Sequence, residues 1–470
     1  MTIAVDLERP RSSARIDIDD AVARARQLGR PTLFSRVERL AFAPDAIVFL
    51  AASSSALGSG ALWEQSAAGH AFAGAGLARE IRATGPGRFG RVSAATRDLR
   101  SSLIRGDAAA FPCFTGFAFG DQTDDSSIWR DFPDARFVVP QVLIQNDGHD
   151  DALLRVTVEV EPRSSLGDVE QQIDELFGRA RGWVQTPLSI DAGQSKVRVE
   201  SVPSRAAWES SVATAVGLIR QGALDKVVLA REERLFAWSP FCPVSTLAKL
   251  RRFDSASTLF AMQSGGSWFL GASPERLVRL RDKRVDVTCL AGSIGMGRSE
   301  EERRQLADLL LSSKKDCQEH EIVVRSTMGA LAEVCEDVTR LPGTPRVATA
   351  RAVQHLETPV SAQLAEAGSV LDLVERLHPT PAVGGYPADR ALSIMRELEE
   401  IDRGWYAGPF GWTDLDGSGE FAVAIRSALL SGRMASLFAG SGIVADSVPS
   451  AEYEETCLKL RPMLSALGAA

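Results

Sequence analysis

The stretch GPFGWTDLDGSGEFAVAIRSALLSGRMASLFAGSGIV, from Gly408 to Val444, decides the fold. Its apolar runs are interrupted at DLDGSG and SGR, where clustered Gly, Ser and Asp reverse a chain sharply. The spacing predicts three antiparallel strands in a meander. One residue resists that pattern. Arg426 lies inside the apolar run AVAIRSALL, and a rigid fork of donors in a sheet interior normally has an anion to hold.

Upstream, SWFLGASPERLVRL (from Ser267) and RVDVTCLAG (from Arg284) read as strands flanking an RDKR turn. Helical spacing of Val212, Val216 and Ile219 predicts a helix ending near Gly222. The segment RSEEERRQLADLLLSSKKDCQEHEIVVRSTMGALAEV reads as one long amphipathic helix. Ser299, with Glu302 three residues on, forms a capping box at its start. A last helix over SAEYEETCLKL is expected to kink or stop at Pro462. Meandering strands with long helices imply an α+β, or mixed α/β, class.

The first 200 residues are less informative. ARFVVPQVLIQ and ALLRVTVEVEP read as sheet segments, and the intervening FTGFAFGDQTDDSSIWRDFPD as loops. A boundary near residues 190–205 divides the chain into an N-terminal half, 1–200, and a second half, 201–470. No short tandem repeat is visible, which excludes solenoids and propellers. At 470 residues, with 45% hydrophobic and 24% charged content, the chain has an ordinary globular composition able to build a large core. A net charge of −8 argues against nucleic acid as partner. Six scattered cysteines suit neither a zinc site nor a disulfide framework, and no run is apolar enough for a membrane span or signal peptide. A reduced, cytoplasmic protein is the expectation.

Chemistry collects in the second half. In ALDKVVLARE, Lys226 stands at the mouth of a buried strand, as a solvated end or as an amine beside a dry pocket. Glu452, Glu455 and Lys459 share one helical face. That face is either solvated, with a Glu455–Lys459 ion pair, or a carboxylate pair for a hard cation beside an anchor for an anion. Glu319 is mid-helix, where an inward carboxylate needs a partner or a metal. Mg²⁺, which prefers oxygen ligands, suits carboxylates from two helices. The neighbouring His320 reads as a packing histidine. Glu275 follows Ser273–Pro274 at a break in a strand pattern, as a surface acid or one raised by burial. LAGSIGMG, with Gly292, and LFAGSGIV, with Gly440 and Gly442, read as glycine-rich turns that bring backbone N–H groups near a carboxylate. Together these residues suit a small dicarboxylate.

The motifs DKVVLAR, FLGASPERL, LAGS, SSKKDCQEHEIVV, VQHLETP, LHPTPAVGGYP, LFAGSGIV and SAEYEETCLKL follow one another as in the chorismate-utilising enzymes, and the second half resembles that family throughout. The first half resembles the family's variable partner region loosely, through FTGFAFGD and W-x-x-F. LHPTPAVGGYP with KKDCQEH is most similar to the branch that forms isochorismate; the salicylate- and aminodeoxychorismate-forming branches are the alternatives, and a silent chorismate-binding protein is a further one. The resemblance implies a fold of large antiparallel-rich sheets with helices outside. It implies Lys226 as general base for water attack at ring C2 and Glu275 as general acid for the departing C4 hydroxyl. Glu319 and Glu455, with Glu452 in support, would hold Mg²⁺. Arg426 and Lys459 would bind substrate carboxylates with help near Gly292 and Gly440, and His355 and Ala382 would line the pocket. A base at Lys226 has to be neutral near pH 7, about three units below its free value. The product would serve menaquinone or a catechol siderophore, and the expected assembly is a monomer or homodimer. After LAGS, Ile294 to Gly297 depart from the family pattern by delaying a basic residue.

Overall fold

The computed structural model describes residues 11–121, 127–185, 197–349, 353–365 and 368–469. Part of the expected boundary near 190 and of the loop after Asp121 therefore lie outside the described residues. Among those described, the strands form a 13-stranded and a 10-stranded sheet, both largely antiparallel. Strict side-chain alternation buries both faces of the larger sheet. Trp63, Phe72, Leu143, Phe269 and Phe438 point into one apolar cluster; their neighbours Leu62, Ala73, Ile144, Leu270 and Leu437 point into another. The first cluster continues into Phe114, Phe410 and Phe421 of the smaller sheet. Helices Ala46–Leu57, Leu166–Val184, Pro243–Phe253 and Pro449–Ala466 pack on the larger sheet, and Arg88–Ser102 and Lys314–Ala332 on the smaller.

The two halves repeat one architecture without a recognisable sequence repeat. In the first, Thr32–Leu40 pairs antiparallel with Ala152–Val160; in the second, Lys226–Ala237 pairs with Met434–Ile443. Each half has a hairpin in the larger sheet: Gly60–Gln65 with His70–Ala75, and Thr258–Ser264 with Ser267–Ser273. Each also has one in the smaller sheet: Cys113–Phe117 with Ala135–Val139, and Pro409–Thr413 with Gly419–Val423. The halves join where Gly60–Gln65 pairs with Thr258–Ser264 and where Cys113–Phe117 pairs with Pro409–Thr413. Both sheets therefore run through both halves.

Several expectations need correction. Gly408–Val444 holds four strands rather than three: Pro409–Thr413 and Gly419–Val423 in the smaller sheet, Ser427–Ser431 and Met434–Ile443 in the larger. The apolar run AVAIRSALL is not one strand, because Ala424–Arg426 carries the chain from sheet to sheet with Arg426 at φ +54°. An apolar run hides such a crossing because both of its ends are buried. The long amphipathic segment is two helices, Glu300–Ser312 and Lys314–Ala332. Ser313 is extended between them, and its hydroxyl caps the second by accepting from the Asp316 N–H. Ser299 does cap the first helix, yet the Glu302 carboxylate accepts from the Arg298 N–H instead of closing the box. The last helix runs through Pro462 from Pro449 to Ala466. LAGSIG and LFAGSGI are strands rather than turns; Gly292, at φ +75°, makes a bulge between Ala291 and Ser293.

Candidate active site

In the second half the chain passes directly from a strand of one sheet to a strand of the other at Pro274–Glu275 and at Ala424–Arg426. A cavity of about 180 Å³ opens between these crossings, bounded by helices Lys314–Ala332 and Pro449–Ala466. Its lining brings together Lys226, Glu275, Gly292, Glu319, His355, Ala382, Arg426, Gly440, Glu452, Glu455 and Lys459, every site residue singled out from the sequence.

Lys226 is the first residue of its strand and is 1% exposed. Its Nζ donates to Glu319 Oε1 at 2.6 Å, so Glu319 is the lysine's carboxylate partner. The sequence reading assigned Glu319 to a metal and left the amine without a carboxylate; the structure joins the two. Gly442 makes room for the contact. A Cβ there would sit 2.9 Å from Lys226 Cε and 3.2 Å from Glu319 Oε1. Past Lys226 the strand turns one edge to the segment around Gly384, where Val228 N–H donates to Gly384 O at 3.0 Å.

Glu275 is placed by the first crossing. Its N–H donates to Ser273 Oγ at 3.2 Å, and Ser273 Oγ donates to Val423 O at 2.6 Å, which ties the two crossings together. The residue faces the cavity and is only half-buried, yet protein surrounds the carboxyl. Burial pushes it up to about 7 against the opposing charges of Lys226 and Lys459. It is the acid whose proton is poised near neutrality.

On the final helix, Lys459 Nζ reaches Glu455 Oε1 at 2.6 Å and donates to Gly440 O at 2.9 Å. The ion pair foreseen for a solvated face therefore exists, but it lines the cavity. Burial works to raise Glu455, but Lys459, Ser441 and Arg426 outweigh it and hold the carboxyl below its usual range. Glu452 accepts from Ser441 Oγ at 2.5 Å and is raised, by burial first and by the neighbouring Glu455 charge. Arg426 Nη1 donates to Lys459 O at 3.1 Å, and burial lowers its pKa. Burial, together with the Arg426 and Lys459 charges, pushes His355 down to about 4, so its ring is neutral; Nδ1 lies 2.8 Å from Ser293 Oγ. Gly440 C=O is engaged by Lys459, so only its N–H remains for a ligand. His320 is buried, with Nε2 2.7 Å from Thr358 Oγ1, and serves helix packing.

Among the described residues, no three acidic, His or Cys side chains converge closely enough to hold a metal as they stand. Glu319, Glu452 and Glu455 nonetheless line one cavity, and Glu455 already acts on Glu452 as a like charge.

Sequence reasoning missed two groups. Arg403 is buried, bound to Glu399 through Nε–Oε2 at 2.9 Å, and donates to Val383 O and Val228 O at 2.9 Å each. Glu399 in turn accepts from the Ala230 N–H at 2.8 Å. The pair thus completes the backbone hydrogen bonding of the Lys226 strand where the ladder leaves it open. The i,i+4 spacing of Glu399 and Arg403 was visible in the sequence, but such pairs are common on exposed helices. Tyr406, stacked on Phe438 with ring centroids 5.3 Å apart and pushed by burial up to about 12, also lines the cavity.

A fold with two intergrown sheets and a cavity walled by arginine, lysine and four glutamates suits an enzyme acting on a small, multiply anionic substrate. A family model for chorismate binding enzymes matches residues 20–468, and the chain belongs to that family. The salicylate biosynthesis isochorismate synthase of Pseudomonas aeruginosa is 38% identical over 408 residues, 87% of this chain and 84% of that protein. The isochorismate synthase MenF of Bacillus subtilis is 40% identical over 355 residues, 76% of this chain and 74% of the relative. The structure of MenF, the menaquinone-specific isochorismate synthase from Escherichia coli, matches with a TM-score of 0.76 at 28% identity, covering 96% of this chain and all of that one.

Proposed function

We propose that the chain is an isochorismate synthase, an isomerase that interconverts chorismate and isochorismate. The observation that carries this reading is that one cavity holds both a buried lysine and a carboxyl that burial pushes up to about 7. Lys226 takes a proton from water as the oxygen bonds to ring C2. The ring double bond shifts, the bond from C4 to its hydroxyl breaks, and Glu275 delivers the proton with which that group leaves as water. The reverse reaction exchanges the two roles. Arg426 and Lys459 anchor carboxylates. The Gly440 N–H and the bulge at Gly292 provide backbone donors, and His355 and Ala382 complete the wall.

Glu319, Glu455 and Glu452 are hard oxygen donors suited to Mg²⁺, and the like charge that Glu455 sets against Glu452 is what a cation there would relieve. Bound there, Mg²⁺ supplies positive charge to the ring carboxylate. Base duty requires Lys226 Nζ to part from Glu319, so one carboxylate serves both the resting lysine and the cation. Ile294–Gly297, where the sequence departs from the family pattern, are not among the residues that line the cavity.

No helix among the described residues is long and apolar enough to cross a membrane. All six cysteines are free, which supports a reducing, cytoplasmic setting. The cavity is built by one chain, so a monomer suffices and a homodimer is compatible. The second half carries the chemistry; the first supplies the matching part of each sheet. One relative is named for salicylate biosynthesis and one for menaquinone, and a pathway of either kind would consume the product.

Incubation with chorismate and Mg²⁺, with products identified by NMR, tests the reading. An equilibrium mixture with isochorismate supports it. Salicylate with pyruvate, turnover only with an amine donor, or binding without turnover each overturns it.

A further inference from the structure

A second cavity, of about 480 Å³, lies between the halves and shares Arg403 with the first. Arg88 and Phe119 come from the first half; His378, Leu392 and Met395 come from the second. We propose that this cavity binds a small apolar monocarboxylate, and that its occupant acts on the catalytic cavity through Arg403.

Arg88 is the recognition group. It is 6% exposed, its Nη2 donates to Ala118 O at 3.0 Å, and its Nε has no hydrogen-bond partner. A buried guanidinium N–H without an acceptor is costly, and a carboxylate matches the donor fork in geometry and charge. Asp134, Asp121 and Glu375 act on it from a distance, while burial lowers its pKa. The other charges of the wall are paired or outward: Arg403 is held by Glu399, Arg396 and Asp402 are exposed, and Asp121 is half-buried. Burial pushes His378 down to about 3, and its Nε2 is engaged by Phe119 O at 3.0 Å, so it presents a neutral ring. A buried cation bonded to no carboxylate, beside aromatic and aliphatic surfaces, selects one carboxylate on an apolar body.

The coupling is mechanical. The Arg403 guanidinium lies 4.4 Å from the centroid of the Phe119 ring. The same guanidinium holds Val383, in the catalytic wall, and Val228, two residues beyond Lys226. A ligand that moves Phe119 therefore moves the support of the Lys226 strand.

Benzoate is the probe, followed by calorimetry and by initial rates. Saturable binding is expected, retained in Arg426→Gln and weakened about tenfold or more in Arg88→Gln. Benzoate is expected to change kcat in the wild type but not in Arg88→Gln, whose rate without benzoate stays within about twofold of wild type. Should Arg88→Gln fail to fold, Leu392→Trp fills the cavity with Arg88 in place and is expected to lose the same binding. Binding lost in Arg426→Gln but kept in Arg88→Gln, inhibition purely competitive with chorismate, or no saturable binding overturns the proposal. Calorimetry needs no turnover, so failure of the isochorismate reading remains distinguishable.

Discussion

In each half one strand of the smaller sheet passes directly, with no helix between, into a strand of the larger, and the two passages differ sharply. In the first half Pro140 and Gln141 make the passage between Ala135–Val139 and Val142–Asp147. Pro140 packs on Gly74, and Gln141 O accepts from the Thr157 N–H at 2.8 Å, so that corner is filled by packing and backbone hydrogen bonds. In the second half, Ala424–Arg426 makes the equivalent passage with a left-handed arginine beside a cavity. One fold thus offers the same corner twice. A site exists only where the corner is left unfilled, an arginine is put beside it, and helices bearing acids are laid against it.

The largest effect is expected from the residue that most separates the halves. Lys226→Gln keeps a polar side chain but removes the base, and turnover should fall by about 10³–10⁴, the upper range for a general base. Quenched-flow or NMR assay of isochorismate measures it. Retention of more than about a tenth of wild-type turnover would remove Lys226 from the chemistry.

Next comes the corner itself. Arg426→Gln takes a charge from a buried anchor, for which a loss of about 10²–10³ in kcat/KM is expected. Gln141→Ala, at the equivalent corner, should leave kcat/KM within about twofold. Equal losses at the two corners would erase the distinction drawn between them.

The third test is pH. Glu275 must be protonated to act, so kcat should fall about tenfold per unit above its value of about 7. Stability carries the same signature. The folded carboxyl titrates at about 7 and the unfolded one near 4.5. Between those values the folded state binds more protons, so its stability declines as pH rises and then levels off. Glu275→Gln should abolish that decline in thermal melts, a change of at most about 3 kcal/mol. Melts of the two proteins that stay parallel from pH 4.5 to 7 would place the carboxyl in ordinary solvent.

These residues were legible in the sequence because each breaks a local rule: Arg426 in an apolar run, Lys226 at a dry strand end, Glu275 after a Ser-Pro break. The sheet crossings were not legible. Alternation tells which face a residue takes but not which sheet its strand joins, and an apolar passage between two buried strands looks like one strand. The split at Ser313 was hidden because both of its helices have amphipathic spacing. Arg403 was hidden because its partners are backbone carbonyls that only the tertiary fold brings near.

The smallest effects come from two close-packed glycines, one near each corner. In Gly442→Ala the new Cβ meets Lys226 and Glu319 side-chain atoms at 2.9 and 3.2 Å. Both partners are long side chains that can yield, so stability should change little, while kcat drops about tenfold because the base is displaced. In Gly74→Ala the Cβ meets the Pro140 ring at 2.8 Å, with Phe114 behind it at 3.1 Å. A proline ring locked between two strands cannot yield, so overpacking should cost about 1–3 kcal/mol. The kcat of the folded fraction should be unchanged, because nothing catalytic touches that corner. Melting temperature and kcat measured on both variants therefore run in opposite directions. A Gly74→Ala enzyme that kept its stability but lost turnover would mean that the first half's corner reaches the site through the shared sheet after all.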